Sequence, residues 1–278
     1  MSDSLYGATS APRHSITRNA PRLALTHAGA GELLVFLHGI GGHRSHWDEQ
    51  LAHFADRFLV CAPDLRGFGD SEDCAGGLDF AADFCADVDA VLEHFGAPRA
   101  HLVGLSMGGR IARNYGLRRP ERVASLVLAN TQPGFDGLSE RQLQAFVDGR
   151  RAPFAGGREP PQVAEELARG LLSPHAVPQA WPRLVAAMAA LHRESYLKTV
   201  EASVRQDRGA RLEDLRGPVL VLAGAEDTLY PPAISQAMAA RIPGAQYLAI
   251  PRAGHLSNLE QPQAFNAALD AFYAGIAA

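Results

Sequence analysis

The pentapeptide Gly104-Leu105-Ser106-Met107-Gly108 constrains this chain more than any other stretch. An apolar run, Ala100-His101-Leu102-Val103, leads into it, and a segment that reads as a helix, Arg110 to Arg119, follows. A serine bracketed by glycines between a strand and a helix has a ready physical rationale. The chain turns so sharply that side chains at the flanking positions would clash, and the serine backbone is forced into a strained conformation. The hydroxyl is lifted off the end of the strand with a helix N-terminus behind it, the arrangement of a nucleophile elbow. A plain surface turn would fit the same five residues, so the argument rests on what surrounds them.

Three further stretches fall where a serine nucleophile needs support. The apolar run Leu33-Leu34-Val35-Phe36-Leu37 opens directly into His38-Gly39-Ile40-Gly41-Gly42. A buried strand followed by a glycine-rich loop lets backbone N–H groups approach a ligand closely. An oxyanion hole needs two such donors. One comes from the residue after the nucleophile, Met107, and one from a loop after a neighbouring strand, for which Ile40 is the candidate. The second stretch, Val219 to Gly224, is a buried-type strand that ends in glycine and then presents Glu226 and Asp227. Loops at the carboxyl ends of parallel strands are where such a sheet places its chemistry, and either acid fits the position. The third, Tyr247 to Ile250, runs into Pro251-Arg252-Ala253-Gly254-His255, ahead of a helix expected over 262–273. His255 is one of 11 histidines, and its place after the last expected strand sets it apart. Serine, acid, histidine is the chain order of hydrolases built on this elbow. In such a set neutral His255 takes the Ser106 proton, the acid fixes its tautomer, and the Ile40 and Met107 amides stabilise the oxyanion.

Together these segments resemble the α/β-hydrolase superfamily over nearly the whole chain. The match rests on His38-Gly39, Asp64-Leu65-Arg66-Gly67-Phe68-Gly69-Asp70-Ser71, Gly104 to Gly109, Gly224-Ala225-Glu226-Asp227 and Gly254-His255. The resemblance assigns the acid to Asp227. It implies an α/β fold with a mostly parallel eight-stranded sheet, helices on both faces and a helical cap inserted after strand 6. Ser106-Met107-Gly108-Gly109, followed by Arg122 to Thr131, is similar to the branch holding 3-oxoadipate enol-lactonases and small carboxylesterases. The activity implied is cofactor-independent hydrolysis of a small carboxylic ester or lactone through an acyl-enzyme. The same triad also serves C–C bond hydrolysis of dienoate-type substrates and perhydrolase chemistry. A non-catalytic ligand-binding homologue is the lesser alternative, because all three triad members and both glycine-rich loops are present.

Composition narrows the partners. A formal net charge of −4 gives no electrostatic footprint for nucleic acid or an anionic membrane. Short arginine pairs, Arg118-Arg119 and Arg150-Arg151, read as solvated helix faces. Three cysteines, Cys61, Cys74 and Cys85, make an odd count without metal-type spacing, as reduced thiols of a cytoplasmic protein would. No metal or cofactor is expected, and oligomeric state is left open. Met1 to Pro21 has no apolar core of signal-peptide length, and Leu5 to Ser10 reads as a loose leader.

Strands are expected at 22–27, 33–37, 58–62, 100–104, 123–129, 218–222 and 247–250. Asp79 caps a helix with Phe80, Phe84, Val88, Leu92 and Phe95 at helical spacing, closed by Gly96. Strands alternating with helices predict a parallel sheet with crossovers on both faces. After Thr131 the rhythm changes, and helical stretches at 139–149, 161–172, 178–193 and 194–207 replace it. Residues 132–212 are therefore expected to form the cap, with 1–131 and 213–278 as the core domain. Candidate pocket walls are Phe135, Phe146, Phe154, Trp181, Met188 and Tyr196 from the cap, joined by Trp47, Leu229 and Leu256 from core loops, with Trp47, Phe135, Trp181 and Leu229 the leading choices. Arg66, Arg110 and Arg193 are conceivable clamps for a substrate carboxylate.

Overall fold

Runs of Val, Leu and Ala without polar interruption are stable only where both faces of a strand are covered. Four largely apolar runs, interrupted only by His101 in β5 and Ser125 in β6, make the centre of the sheet: β3 (Leu33–Leu37), β5 (Ala100–Leu105), β6 (Val123–Ala129) and β7 (Val219–Gly224). Every residue of β3, β5 and β7 is buried. The computed structural model describes residues 11–276. The expected leader over Leu5 to Ser10 lies outside them.

Four more strands, β1 (Arg13–Ile16), β2 (Ala24–Ala28), β4 (Leu59–Pro63) and β8 (Gln246–Ile250), complete an eight-stranded sheet in the order β1-β2-β4-β3-β5-β6-β7-β8. β2 pairs antiparallel with both β1 and β4, and all other pairs are parallel. β1 falls in a stretch where no strand was expected. Its Arg-His-Ser-Ile sequence is mostly exposed, so it is held by its ladder to β2 and carries no burial pattern to read.

The helices follow their caps. The Asp79 side chain accepts from Ala81 N and Ala82 N and starts α2 (Phe80–His94), which buries Phe80, Phe84, Val88, Val91 and Leu92. The expected Phe95 is the half-buried residue at its end, and Gly96 follows at φ 64°. α1 (Asp48–Phe54) precedes β4, α3 (Met107–Arg118) follows β5, and α3 is buried along almost all of its length.

Four helices stand between β6 and β7: α4 (Glu140–Arg151), α5 (Pro160–Ala168), α6 (Ala180–Ala189) and α7 (Arg193–Arg205). α5, α6 and α7 are shorter than the sequence suggests, whereas α4 runs on to Arg151, past the expected end at 149. Gly170 at φ 81° follows the end of α5, where helix was expected to 172, and an irregular segment leads to α6. α8 (Pro232–Arg241), the single turn α9 (Ser257–Glu260) and α10 (Pro262–Ile276) complete the chain. No helix among the described residues is long and apolar enough to cross a membrane.

The order β4-β3-β5 is where the sheet reverses direction. In open α/β sheets a crevice opens at the carboxyl ends of strands at such a point. Leu37 of β3 pairs with Gly104 of β5, so the loop starting at His38 and the turn at Ser106 emerge side by side.

Candidate active site

Ser106 stands at that edge with φ 56° and ψ −114°, a conformation that costs a non-glycine residue about 1–3 kcal/mol. The strain is held by hydrogen bonds on both sides of the residue. Ser106 N donates to Ala129 O at 2.8 Å, and the Thr131 hydroxyl donates to Ser106 O at 2.6 Å. The flanking glycines are obligatory for reasons of space. A Cβ at Gly104 would press into the Gly108 carbonyl, and one at Gly108 into the Leu37 carbonyl.

β7 and β8 bring the partners. His255 Nε2 lies 2.9 Å from Ser106 Oγ, and its Nδ1 lies 2.8 Å from Asp227 Oδ2. All three residues are buried. A carboxylate can only accept, so Nδ1 carries the proton and Nε2 is left to accept from the serine hydroxyl. Asp227 Oδ1 accepts from Leu229 N and Tyr230 N, both at 2.9 Å. Burial alone would raise the Asp227 carboxyl. Hydrogen bonds from His255, Tyr230 N and Asn130 overcome that and hold it below the ordinary aspartate range. Glu226, the alternative acid, turns outward, and its carboxylate is 3.6 Å from His175 at the surface.

The glycine-rich loop is a tight turn in which Gly42 N donates to Gly39 O at 3.0 Å. Gly41 sits at φ 74° in the position where such a turn requires glycine. Ile40, at the turn's first corner, keeps its N–H out of that bond and lines the cavity above Ser106. Met107 opens α3, where an N–H has no acceptor within its own helix. His38 fixes the loop from beneath, with Nδ1–H donating to Gly39 O at 2.7 Å and Nε2 accepting from Leu65 N at 3.0 Å. Burial pushes His38 down to about 4, so it is neutral in both of these bonds.

Several contributors were not legible as such. Asn130, at φ 46° just after β6, donates to Asp227 Oδ2 at 3.1 Å and to Gly254 O at 2.9 Å, and accepts from Ser257 Oγ at 2.5 Å. It braces the acid and the histidine loop together. Glu260 is fully buried and accepts from Gly254 N, Leu256 N and Ser173 N, while His255 N donates to Leu171 O. The loop that carries the histidine is thus tied to the segment between α5 and α6. A polar pair, Asn130-Thr131, directly after the apolar run Leu126-Val127-Leu128-Ala129 was the available signal.

Trp47, Leu229, Phe146, Met188, Tyr196 and Leu256 line the cavity as expected. Phe135 and Trp181 do not. Phe135 is buried behind the wall, its ring 5.3 Å from that of Phe146 and 5.0 Å from the Arg110 guanidinium. Trp181 is in the first turn of α6, 41% exposed over a surface groove with Leu172 and Pro178. Phe154 packs against Tyr196 from outside. Of the conceivable clamps, Arg66 is bound to Asp83 and Asp87, and Arg193 to Glu159. Arg110 reaches the cavity. Arg150 does too, against the expectation of a solvated face, whereas Arg151 turns away to Glu201. Among the described residues, His43, Asp64 and Asp70 offer metal-type donors within 4.8 Å of one another. The Arg44 guanidinium pairs with both of those carboxylates.

Residues 32–262 match the sequence profile of the alpha/beta hydrolase fold. A 3-oxoadipate enol-lactonase 2 of Acinetobacter baylyi is 31% identical over 262 residues, 92% of this chain and 95% of that protein. A thermophilic esterase from Thermogutta terrifontis, solved with malate bound, superposes with TM-score 0.84 at 28% identity, covering 95% of this chain and 98% of that one. A hydrolase from Pseudomonas aeruginosa gives TM-score 0.83 at 31% identity, covering 94% and 98%.

The two acids make opposite predictions. Asp227→Asn should lower kcat on an ester by about ten-thousandfold, because the histidine tautomer is no longer fixed. Glu226→Gln should stay within about twofold, and the reverse ranking would move the acid to Glu226. A second prediction concerns pH. Burial also pushes His46, whose Nε2 faces Arg183 O at 3.4 Å, down to about 3. The unfolded chain takes up protons below about pH 6.5 that folded His38 and His46 refuse, so their contribution to stability falls as pH drops from 6.5 towards 4. Asp48 and Asp87, raised to about 6 chiefly by burial, shift the opposite way. The test is therefore a difference: between pH 7 and 5 the urea midpoint of His46→Asn should fall less than that of the parent. Equal slopes would contradict it.

Proposed function

The chain belongs to the alpha/beta hydrolase fold family and is a hydrolase, and from that premise we propose that it cleaves a small carboxylic ester or lactone through an acyl-enzyme on Ser106. The observation that carries the reading is the continuous chain Ser106 Oγ, His255, Asp227 at 2.9 and 2.8 Å, opening into one cavity. In this mechanism Ser106 Oγ attacks the carbonyl carbon as its proton passes to His255 Nε2. Asp227 stabilises the imidazolium that results. The Ile40 and Met107 N–H groups receive the negative charge on the carbonyl oxygen. The C–O bond to the alcohol breaks, and His255 returns the proton to the leaving oxygen. A water then repeats the sequence on the acyl-enzyme, releasing the acid and restoring Ser106. No step needs a cofactor. The choice of ester or lactone draws on the enol-lactonase and the esterase among the similar proteins.

In this reading residues 132–212 act as a cap over the core formed by 1–131 and 213–278. α4, α6 and α7 each contribute residues to the cavity wall. Three buried free thiols, Cys61, Cys74 and Cys85, suit a reducing cytoplasm. The test is turnover of p-nitrophenyl acetate, butyrate and octanoate. Ser106→Ala should lose at least about a thousandfold in kcat, with its circular dichroism unchanged. Parent-like turnover in that variant would remove the serine from the chemistry.

A further inference from the structure

Glu260 is a buried carboxylate that the acyl-enzyme mechanism does not use. It ends the single turn α9 (Ser257–Glu260), is fully buried and does not line the cavity above Ser106. Among the described residues, no lysine, arginine or histidine stands at ion-pair distance from it. A buried charge without a counterion is stable only where hydrogen bonds replace its hydration. Three backbone N–H groups do so here. Gly254 N donates to Oε2 at 2.8 Å, Ser173 N to the same oxygen at 2.7 Å, and Leu256 N to Oε1 at 2.9 Å.

Two of those donors flank His255. The N–H of His255 itself donates to Leu171 O at 3.0 Å, so three consecutive amides around the imidazole each have a fixed partner. The backbone closes the same turn again. Glu260 N donates to Leu256 O at 2.9 Å, and Glu260 O accepts from Val177 N at 3.2 Å. Space around the carboxylate is tight. A Cβ at Gly254 would lie 2.7 Å from Ser173 N and 3.1 and 3.2 Å from the two Glu260 oxygens, so the close approach of the carboxylate requires glycine there. The side-chain chemistry is equally constrained. Every partner is a donor, and an amide in place of the carboxylate would turn its own NH2 toward at least one of them.

His255 has to keep both ring nitrogens in contact at once, with Ser106 Oγ at 2.9 Å and Asp227 Oδ2 at 2.8 Å. Asp227 holds the ring by one nitrogen, and the position of the peptide that carries the ring is left to the backbone. We propose that Glu260 is a positioning residue for the reaction at Ser106. Its carboxylate clamps the peptide on both sides of His255 and holds the imidazole in line with the serine hydroxyl before substrate arrives. Through Ser173 N and Leu171 O the clamp includes residues 171–173 of the helical insertion, so a competent base depends on that segment being seated. The proposal rests on the acyl-enzyme reading of Ser106 and adds to it a residue that acts only through His255.

The experiment measures kcat and KM for p-nitrophenyl butyrate, together with the low-field proton NMR signal of the His255 Nδ1–H, identified by its loss in Asp227→Asn. Acylation and deacylation both pass through His255, so a misplaced ring slows the two steps together and leaves KM in place. Glu260→Gln should lower kcat by about a hundredfold, the cost of a displacement of about 1 Å, with KM within about twofold of the parent. The low-field signal should broaden or vanish in the same variant. Glu260→Asp keeps the charge, is one methylene shorter, and should fall between Glu260→Gln and the parent on both readouts. Leu269→Ala, a truncation in the buried face of α10, controls for stability. At a comparable loss of urea midpoint it should keep the parent kcat and signal. A parent-like kcat in Glu260→Gln, an equal loss in Leu269→Ala, or an unchanged low-field signal in Glu260→Gln would overturn the proposal. Should Glu260→Gln not fold, Glu260→Asp decides, and a parent-like kcat and signal there refute the clamp. A parent that turns over no ester counts against the esterase reading, and the NMR comparison, made on the resting protein, then decides the clamp alone.

Discussion

One imidazole has to touch two side chains from two other strands at once, and most of the fold is arranged around that reach. His255 follows β8, Asp227 follows β7 and Ser106 follows β5, yet the two hydrogen bonds that join them are 2.8 and 2.9 Å long. Parallel strands spaced at about 4.8 Å deliver their carboxyl ends to a common edge without further instruction. The finer adjustment comes from polar groups seated in the loops. Asn130, from the intervening strand β6, bonds both Asp227 and the Gly254 carbonyl, and so measures the distance between acid and histidine loop.

Strain and restraint are paired at Ser106. The left-handed backbone at Ser106 opposes folding by about 1–3 kcal/mol. Each of the hydrogen bonds from Ser106 N and to Ser106 O contributes about 1 kcal/mol net, which is of the same order. The helical insertion adds restraint from above. Leu171 O accepts from His255 N, Glu260 accepts from Ser173 N as well as from the histidine loop, and Met188 packs where a side chain at Gly41 would have to go. Below, Arg110 and Arg113 of α3 bind Asp207, just beyond α7. The insertion that helps line the cavity therefore also restrains the loops that carry His255 and Ile40.

What could be read from the sequence follows from the kind of constraint involved. The elbow was legible because steric necessity leaves glycine as the only residue that fits at 104 and 108. The central strands were legible because two-sided burial demands largely apolar runs. β1 was not, since an exposed edge strand carries no pattern beyond its backbone ladder. The lining of the cavity was only half legible. Aromatic residues on the insertion all look alike in sequence, and whether Phe146 or Phe135 faces the cavity is decided by tertiary packing, in which Phe135 stacks behind Phe146 and over Arg110. Arg150-Arg151 read as a solvated pair because nothing local distinguishes the one that turns inward. Asn130 and Glu260 act through backbone groups far away in the chain, and such partners are fixed only by the tertiary fold.

The central claim, that Ser106 is a nucleophile activated by His255, is tested most directly by intact-mass analysis after treatment with a fluorophosphonate that phosphonylates activated serines. The account predicts one stoichiometric adduct that maps to Ser106 and forms far more slowly in His255→Ala. An adduct elsewhere, an unmodified parent, or equal labelling rates in the parent and His255→Ala would contradict it.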